Sequence, residues 1–368
     1  MTWRDRFLAW RDRRLTNPNF QTWAASMPLV RGLARKRARQ AFDLCAGFVY
    51  SQVLQGCIEL GVFEAVRDGP LSLEDLSKQL DFPEEGLERL LKAAIALDLL
   101  MLRSQGRYGL GEIGAALLGN PGVFSMVRHH ATLYQDLSDP LALLRARRTD
   151  TALAQYWAYA GQEAPQKAES TAVEAYSHLM AQTQTFIAST ILNAVSFGES
   201  RHLMDVGGGL GAFVAHVGQR YSDIDLTVCD LPGVVALAES HLASALPNRD
   251  VRLVGVNMFE DALPDGADTV SLVRILHDHD DGPVETLLKS VRAVLPDGGR
   301  LIIAEPMAET PGCEPMGDAY FGMYLWAMAS GRPRSAGTLK AMLHTAGFAT
   351  VDEVPSAQPL LTRILIAR

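Results

Sequence analysis

Residues 349–368 read ATVDEVPSAQPLLTRILIAR and contain two apolar, strand-like runs, 349–354 and 360–368. The segment between the runs is PSAQP. It is far shorter than the dozen or more residues that a crossover between parallel strands requires. The stretch therefore predicts an antiparallel pair of strands at the end of the chain.

Five shorter apolar runs precede this pair. They do not alternate with polar residues, as expected of strands buried on both faces of a parallel sheet. Segments long enough for helices separate them, so we expect an α/β fold with a doubly wound, seven-stranded sheet and a reversed last strand. The runs are HLMDV (202–206), LTVC (226–229), VRLVGV (251–256), TVSLVRIL (269–276) and RLIIAE (300–305).

The N-terminal part of the chain has a helical pattern. Residues 40–66 are apolar nearly all round, which predicts a helix buried in a core or between two subunits. Residues 71–111 predict helix, turn, helix and two short strands about 104–106, a winged-helix pattern. A winged helix can bind DNA, but the second helix begins with Glu84 and Glu85 and would repel phosphates. We interpret it as structural and expect no nucleic-acid partner.

The composition is that of an ordinary folded protein. With 368 residues and 48% hydrophobic content, the chain has room for two domains. Its four cysteines show no paired spacing, which predicts reduced thiols. The first residues lack the continuous apolar stretch of a signal peptide or membrane span. We expect a cytoplasmic protein.

The first forty residues form a basic arm. They carry ten basic side chains against two acids, although the whole chain has a net charge of −8. On a helix, Trp3, Phe7 and Trp10 would share one face, a pattern typical of a segment at an anionic membrane surface. A solvated arm or a helix that contacts a protein partner would show the same pattern. Both interpretations stay open.

A glycine-rich segment, DVGGGLG (205–211), ends the first of the parallel strands, and a helix is predicted from Ala212. Glycines let the backbone turn sharply and let a ligand approach closely. The spacing also satisfies the dinucleotide fingerprint GxGxxA. Asp205, however, suits the cationic amino-acid end of S-adenosylmethionine better than a pyrophosphate.

Polar groups at the next two strand ends complete a predicted nucleotide site. Asp230 ends the second strand, where a carboxylate can accept hydrogen bonds from both ribose hydroxyls. After the third strand, Asn257 can bond the adenine edge while Met258 and Phe259 pack on its faces. Core side chains at a strand end would look the same. In open parallel sheets, ligands bind beyond the carboxyl ends of the strands.

Residues 271–282 read SLVRILHDHDDG and place His277 at the end of the fourth strand. A neutral imidazole at this edge is a candidate general base, although a turn residue in a charged loop would look similar. We expect no metal site, because neighbouring side chains in an extended stretch point in opposite directions. His279 and Asp280 are predicted to face solvent, with Asp280 or Asp281 capping the next helix.

Residues 113–195 have a helical pattern rich in aromatic residues, histidine and methionine. Such stripes are typical of a core, and they indicate a ligand pocket only if they lie beside a binding site. They are Met126, His129, His130, Tyr134, Tyr156, Trp157, Tyr159, Tyr176, His178 and Met180.

The motifs DVGGGLG, CDLPGV, NMFEDALP and ILHDHDD, in this order and spacing, resemble the caffeate-type small-molecule O-methyltransferases over residues 40–368. Within that family the chain is most similar to the demethylspheroidene (hydroxyneurosporene) O-methyltransferases of carotenoid synthesis in photosynthetic purple bacteria. Residues 17–63 and 331–343 carry this closer match.

The resemblance implies a class I, Rossmann-like methyltransferase fold and a homodimer. Its domains would be a basic arm and winged-helix dimerisation domain (1–112), a helical connection (113–195) and an S-adenosylmethionine-binding catalytic domain (196–368). It implies His277 as the general base. The cofactor-binding residues are predicted to be Asp205, Gly207, Gly209, Asp230, Leu231, Asn257, Met258, Phe259 and Arg274.

The chain departs from this family at three places. Asn257 replaces the usual aspartate, and Val273 stands where many plant members have lysine, with Arg274 next. The family's glutamate near residue 336 is missing. A carboxylate that holds the His277 imidazole must therefore come from elsewhere, and Glu305 and Asp278 are the candidates.

The resemblance implies methylation of a tertiary hydroxyl on a hydroxycarotenoid. Such an acceptor predicts an extended apolar tunnel lined by residues 126–180 and 316–328, and an enzyme that is peripheral on the inner or photosynthetic membrane. The alternatives are an aromatic, polyketide or tetrapyrrole acceptor, or a nucleotide-binding regulator without catalysis. Asp205 and the reversed last strand disfavour a dehydrogenase.

Overall fold

The computed structural model describes residues 1–147, 149–157 and 184–368. The chain divides into two compact units, Met1–Gly119 and Asn120–Arg368. Four residues of the predicted aromatic, histidine and methionine stripes lie outside the described residues: Tyr159, Tyr176, His178 and Met180.

The first unit is helical and contains one antiparallel pair of short strands. A capping box between Thr2 and Asp5 starts its first helix, and the Ser72 side chain caps the fifth. The winged-helix order that the sequence predicts is present. The elements are α1 (Trp3–Leu15), α2 (Pro18–Ser26), α3 (Arg31–Glu59), α4 (Val62–Ala65), α5 (Leu73–Leu80), α6 (Glu84–Ala96), β1 (Leu100–Leu102), β2 (Tyr108–Leu110) and α7 (Glu112–Leu118).

Helix α3 exposes apolar side chains along its middle. Phe42, Leu44 and Phe48 are 63%, 87% and 69% exposed, whereas Cys57 and Ile58 near the end of the helix are buried. The sequence predicts that this helix is buried either in a core or between two subunits. The core of the chain buries only its C-terminal end, and a subunit interface would cover the exposed middle.

The second unit is built on a seven-stranded sheet in the order β5-β4-β3-β6-β7-β9-β8. Strand β9 is antiparallel to both β7 and β8, and the other pairings are parallel. The predicted doubly wound sheet with a reversed last strand is confirmed. Its strands are β3 (His202–Val206), β4 (Asp225–Asp230), β5 (Val251–Gly255), β6 (Thr269–Val273), β7 (Arg300–Glu305), β8 (Val351–Val354) and β9 (Arg363–Ala367).

Helices lie between these strands, and a further set precedes the sheet. They are α8 (Pro121–Asp136), α9 (Pro140–Arg145), α10 (Ala152–Tyr156), α11 (184–194), α12 (Ala212–Arg220), α13 (Pro232–Ala245), α14 (Asp281–Val294), α15 (Gly322–Ala327) and α16 (Ala336–Thr345). A π-helix, Pro315–Phe321, leads directly into α15.

Strand β6 is shorter than the sequence predicts. It ends at Val273 rather than at residue 276, because Arg274 adopts a left-handed φ of 60°. The Arg274 N–H still donates to Ala304 O (2.9 Å), and a 3₁₀ turn then forms over Leu276–Asp278. His277 therefore lies on a turn beyond the strand, not on the strand itself.

Hydrophobic cores cover both faces of the sheet. Leu203 and Val228 pack into one cluster, whereas Met204 and Leu272 pack into the cluster on the other face. A third cluster joins α8, α10 and α15 through residues that include Leu133, Leu153 and Tyr324. Burial on both faces explains why the strand sequences are apolar without alternation.

Candidate active site

The glycine-rich loop between β3 and α12 leaves its backbone open. Gly207 and Gly209 have φ angles of 72° and 57°, which favour glycine. A Cβ atom on Gly209 would meet no protein atom within 4 Å. On Gly207 it would lie 2.4 Å from Cδ1 of Ile275, so the loop packs against the segment that leads to His277.

Two carboxylates flank this loop. Asp230 accepts hydrogen bonds from the backbone N–H groups of Gly209 (2.8 Å) and Leu231 (2.7 Å). Asp205 is 2% exposed and accepts a hydrogen bond from Ser271 Oγ at 2.6 Å. Burial raises the pKa of both side chains, that of Asp205 to about 7, and outweighs the hydrogen bonds that act to lower it. An open backbone between two such carboxylates fits a cationic nucleoside such as S-adenosylmethionine.

The predicted adenine contacts follow β5. Asn257 is 6% exposed, and its Oδ1 accepts a hydrogen bond from Phe259 N at 3.1 Å. Its own N–H donates to Asp261 Oδ2 at 2.8 Å, so Asn257 fixes the turn on which Met258 and Phe259 lie. Both of these side chains are half-buried against the core on one face of the sheet.

Two expectations for the loop after His277 are wrong. His279 does not face solvent: it is half-buried, its ring lies 4.6 Å from that of Phe259, and burial lowers its pKa to about 4. Asp280 occupies the N-cap position of α14 but makes no side-chain cap bond. Its carboxylate instead pairs with Arg147 (2.8 Å) and accepts from Gly331 N (3.2 Å). Both side chains contact residues that are distant in the sequence instead of making the expected local contacts.

His277 lies between the two carboxylates that the sequence offers. It is 4% exposed. Its Nδ1 is 3.3 Å from Oε2 of Glu305, and its backbone N–H donates to the same oxygen at 3.2 Å. On the other side of the ring, Nε2 is 3.1 Å from Oδ1 of Asp278. Glu305 and Asp278 therefore both contact the imidazole, at different nitrogens.

These three groups compete for protons. Burial lowers the pKa of His277, but Asp278 and Glu305 together outweigh it, so the pKa lies above its ordinary value. Burial raises the pKa of Asp278. Within the part of the chain that the structure describes, two buried oxygens, Asp278 Oδ1 and Glu305 Oε1, have no hydrogen-bond partner. The cluster thus has unused acceptor capacity beside the imidazole.

A buried arginine anchors the turn that carries His277, and the sequence analysis did not identify it. Arg334 is 1% exposed and donates to Leu276 O (2.7 Å), His279 O (2.8 Å) and Asp281 Oδ1 (2.7 Å). Nothing in the local pattern SGRPRSAG distinguishes it from the exposed Arg332. Only its long-range partners reveal the role.

A small cavity lies beside His277. Its volume is about 20 Å³, which is room for one water molecule. Arg274, predicted to contact the cofactor, lines this cavity, and residues from both predicted tunnel segments converge on it. The described lining is Met126, Trp157, Arg274, His277, Asp278, Tyr320, Phe321, Tyr324 and Leu325. This volume is far smaller than that of an extended tunnel.

Three polar side chains of the cavity wall, those of Tyr320, Tyr324 and Trp157, have close polar partners. Tyr324 Oη contacts His129 Nε2 at 2.7 Å and accepts a hydrogen bond from Trp157 Nε1 at 3.0 Å. Tyr320 Oη contacts His130 Nε2 at 2.7 Å. Burial lowers the pKa of His129 to about 4, which keeps its ring neutral near pH 7. The sequence placed His129, His130 and Trp157 in the helical stripes, but it did not predict which residues they contact.

Comparisons with known proteins match both units. The O-methyltransferase domain model matches residues 134–349, and the O-methyltransferase dimerisation domain model matches residues 42–120. The demethylspheroidene O-methyltransferase of Cereibacter sphaeroides is 39% identical over 95% of this chain and 91% of its own length. The enzyme of the same name from Rhodobacter capsulatus is 38% identical, over 93% of this chain and 84% of its own length.

Solved structures share the fold. Human N-acetylserotonin methyltransferase in complex with SAM has a TM-score of 0.74 at 23% identity, over 90% of this chain and 97% of that one. PigF with SAH has a TM-score of 0.73 at 22% identity, over 90% and 98%. These similarities extend across nearly the whole length of each chain.

Proposed function

The chain belongs to the O-methyltransferase family, and from this premise we propose that it methylates the tertiary hydroxyl of a hydroxycarotenoid of the demethylspheroidene or hydroxyneurosporene type. It is an S-adenosylmethionine-dependent enzyme. The main support for this reaction is the buried His277, which contacts both Glu305 and Asp278. It follows Ile275, which packs against the glycine loop, by two residues.

The bound cofactor supplies a methyl group already activated on a sulfonium. The protein therefore has to hold the acceptor oxygen in line with that methyl group and remove its proton. Alignment alone can lower the barrier by roughly 7–11 kcal/mol, and a general base adds about 10²- to 10⁴-fold. In this proposal Glu305 accepts the Nδ1–H of His277, which leaves Nε2 as the base.

The cofactor lies on the glycine loop in this proposal. Asp205 faces its cationic end, Asp230 the ribose, and the turn at Asn257 the adenine. Leu231, Met258 and Phe259 supply neighbouring contacts. Arg274 lines the cavity beside His277, so we place it where the cofactor's methyl end and the acceptor meet.

The cavity wall supports an apolar acceptor. In the wall, Tyr320 and Tyr324 pair their hydroxyl groups with His130 and His129, and Trp157 donates to Tyr324. These three wall residues therefore offer ring surfaces with their polar atoms already paired. An acceptor with several polar groups would have to break these pairs, and a buried unpaired polar group costs about 1–3 kcal/mol. A hydrocarbon chain with one hydroxyl needs no such change.

Transfer of label identifies the acceptor. The enzyme is incubated with methyl-labelled S-adenosylmethionine and pigment extract from a strain without methoxylated carotenoids. Parallel samples contain phenolic, polyketide or tetrapyrrole acceptors. We expect label in the hydroxycarotenoid fraction, and none there with His277→Ala. Label confined to a parallel sample would contradict the carotenoid proposal while leaving the methyltransferase activity in place.

The matched dimerisation domain supports a homodimer, and we propose that the exposed face of α3 forms its interface. This face carries Phe42, Leu44 and Phe48, which water would otherwise surround. Light scattering should give the mass of two chains. Phe48→Asp should lower it toward one chain, and Lys78→Asp on exposed α5 should not. A monomeric parent protein would contradict the proposal.

We also propose that α1 lies on an anionic membrane surface. With 3.6 residues per turn, Trp3, Phe7 and Trp10 fall within an arc of roughly 60°. They are 81%, 53% and 49% exposed. Arginines 4 and 11 flank this arc on one side and arginines 6 and 13 on the other, while Asp5 and Asp12 lie opposite. Aromatic rings would enter the headgroup region and the arginines would contact lipid phosphates.

Vesicle binding tests this surface. Within the described residues, no helix combines the length and apolar character needed to cross a bilayer. We expect the full chain to bind vesicles rich in phosphatidylglycerol, and to bind neutral phosphatidylcholine vesicles less. Deletion of residues 1–16 or the triple change Trp3→Ala, Phe7→Ala, Trp10→Ala should abolish binding. Equal binding by the deletion variant would contradict the proposal.

A further inference from the structure

The cluster at His277 contains a contact that is close but unbonded. Asp278 Oδ1 lies 3.1 Å from His277 Nε2, yet this oxygen has no hydrogen-bond partner among the described residues. The contact therefore lies outside hydrogen-bond geometry. Asp278 is only 8% exposed and lines a cavity with room for one water molecule. A buried acceptor atom without a partner is costly and calls for a group that the bound state supplies.

The environment leaves one kind of partner for this oxygen. Both His277 and Asp278 line the small cavity. Tyr320 and Tyr324, the hydroxyl groups in the same wall, already contact His130 and His129. On the far side of the imidazole, Nδ1 faces Glu305. Arg274 also lines this cavity, and its positive charge acts to lower the Asp278 pKa. A donor that enters through the cavity can satisfy Asp278 Oδ1.

We propose that Asp278 is a catalytic residue whose Oδ1, together with His277 Nε2, receives the hydroxyl proton of the acceptor. This inference rests on the proposed function and gives Asp278 a direct part in the chemistry, beyond holding the imidazole. The two atoms act together on one hydroxyl group, and after transfer the proton resides on one of them, 3.1 Å from the other. An acceptor with a single hydroxyl and an otherwise apolar surface satisfies the pair and leaves the rest of the wall unchanged.

The step balances in atoms and charge. The acceptor oxygen forms a bond to the methyl carbon while the carbon–sulfur bond breaks with its electron pair on sulfur. The O–H bond breaks, its electrons stay on oxygen, and the proton passes to the Nε2–Oδ1 pair. One positive charge disappears from sulfur and one appears on the pair. The positive charge thus passes to a pair of groups beside which Glu305 already lies, and this limits the electrostatic cost of burying it.

Asp278→Asn separates this role from a structural one. The change preserves size and removes the charge and the proton-accepting oxygen. We expect turnover to fall by about 10²-fold or more, the size of a general-base contribution, with the dissociation constant of S-adenosylhomocysteine unchanged. The acidic limb of kcat/KM against pH should move to lower pH. Asp280→Asn, which alters an exposed carboxylate of the same loop, should leave that limb in place.

Titration of His277 supplies a readout that does not depend on turnover. Histidine labelled with ¹³C at Cε1 is followed by NMR, and His277→Gln assigns the resonance. The His277 pKa should fall in Asp278→Asn because the nearby negative charge is lost. Asp278→Glu keeps the charge but displaces the carboxylate by one methylene group. It should keep the high pKa and still lose turnover.

The outcomes are distinguishable. An unchanged pH profile together with an unchanged His277 titration in a folded Asp278→Asn variant would overturn the proposal. So would turnover of Asp278→Asn close to that of the parent enzyme on whichever acceptor the parent methylates. If the parent protein methylates no hydroxycarotenoid, the acceptor assignment fails, but the NMR titration still decides whether His277 and Asp278 share a proton.

Discussion

Replacing Arg334 by methionine should strongly destabilise the second unit. Methionine has nearly the same length but cannot donate the bonds to Leu276 O and His279 O. A hydrogen bond to a charged group contributes about 1.5–3 kcal/mol, and loss of one partner of a buried ion pair costs about 3–5 kcal/mol. Because the Asp281 side chain is 47% exposed, water replaces part of its bond. We therefore expect a loss of about 3–5 kcal/mol in the free energy of unfolding, with most of it from the two carbonyls.

The chain provides a matched control for this change. Arg332 also bonds Asp281, at 2.8 Å, but its side chain is 49% exposed whereas that of Arg334 is 0% exposed. A surface ion pair is worth about 0–1 kcal/mol, so Arg332→Met should cost no more than that. Burial and the two bonds to backbone carbonyls then account for the difference between two arginines on one carboxylate.

Chemical denaturation and calorimetry measure both variants. For a domain of this size each kcal/mol lowers Tm by about 2–4 °C, so Arg334→Met should lose about 6–20 °C. Its kcat should also fall more than its cofactor affinity, since Leu276 and His279 adjoin His277. Equal losses for Arg332→Met and Arg334→Met, or a loss below about 1 kcal/mol for Arg334→Met, would refute the reasoning.

Three further changes test the site and the fold. His277→Ala should lower turnover by about 10²- to 10⁴-fold and leave the cofactor dissociation constant unchanged in calorimetry, and undiminished turnover would remove its role as base. Gly209→Ala places a Cβ on the loop where we propose that the cofactor binds, and should weaken cofactor binding. Gly298→Ala, with a φ of 78° and equally open space, should cause similar backbone strain of about 1–2 kcal/mol without that loss. Two arginines lower the Asp281 pKa from 3.8 to about 2. The contribution of Asp281 to stability is therefore present above about pH 3.8 and is lost as the pH falls toward 2. In urea unfolding over this window, the free energy of unfolding should change less steeply with pH for Asp281→Asn than for the parent protein.

Local sequence patterns determined the sheet and the position of its ligand edge. Apolar runs without alternation indicated strands buried on both faces, and the short PSAQP connection required the last two strands to be antiparallel. Glycines 207 and 209 lie where positive φ angles are needed. Each of these features depends on residues that are neighbours in the chain, so the sequence expresses them directly.

Tertiary structure decided which side chains meet. His277 and Glu305 are 28 residues apart, His129 and Tyr324 are 195 apart, and no periodic pattern specifies either contact. Arg334 is indistinguishable from Arg332 in sequence, yet it alone is enclosed by the turn around His277. Burial and hydrogen bonding across the fold depend on how whole elements pack. For that reason the sequence identified the candidate base, whereas the folded chain determined which groups contact it.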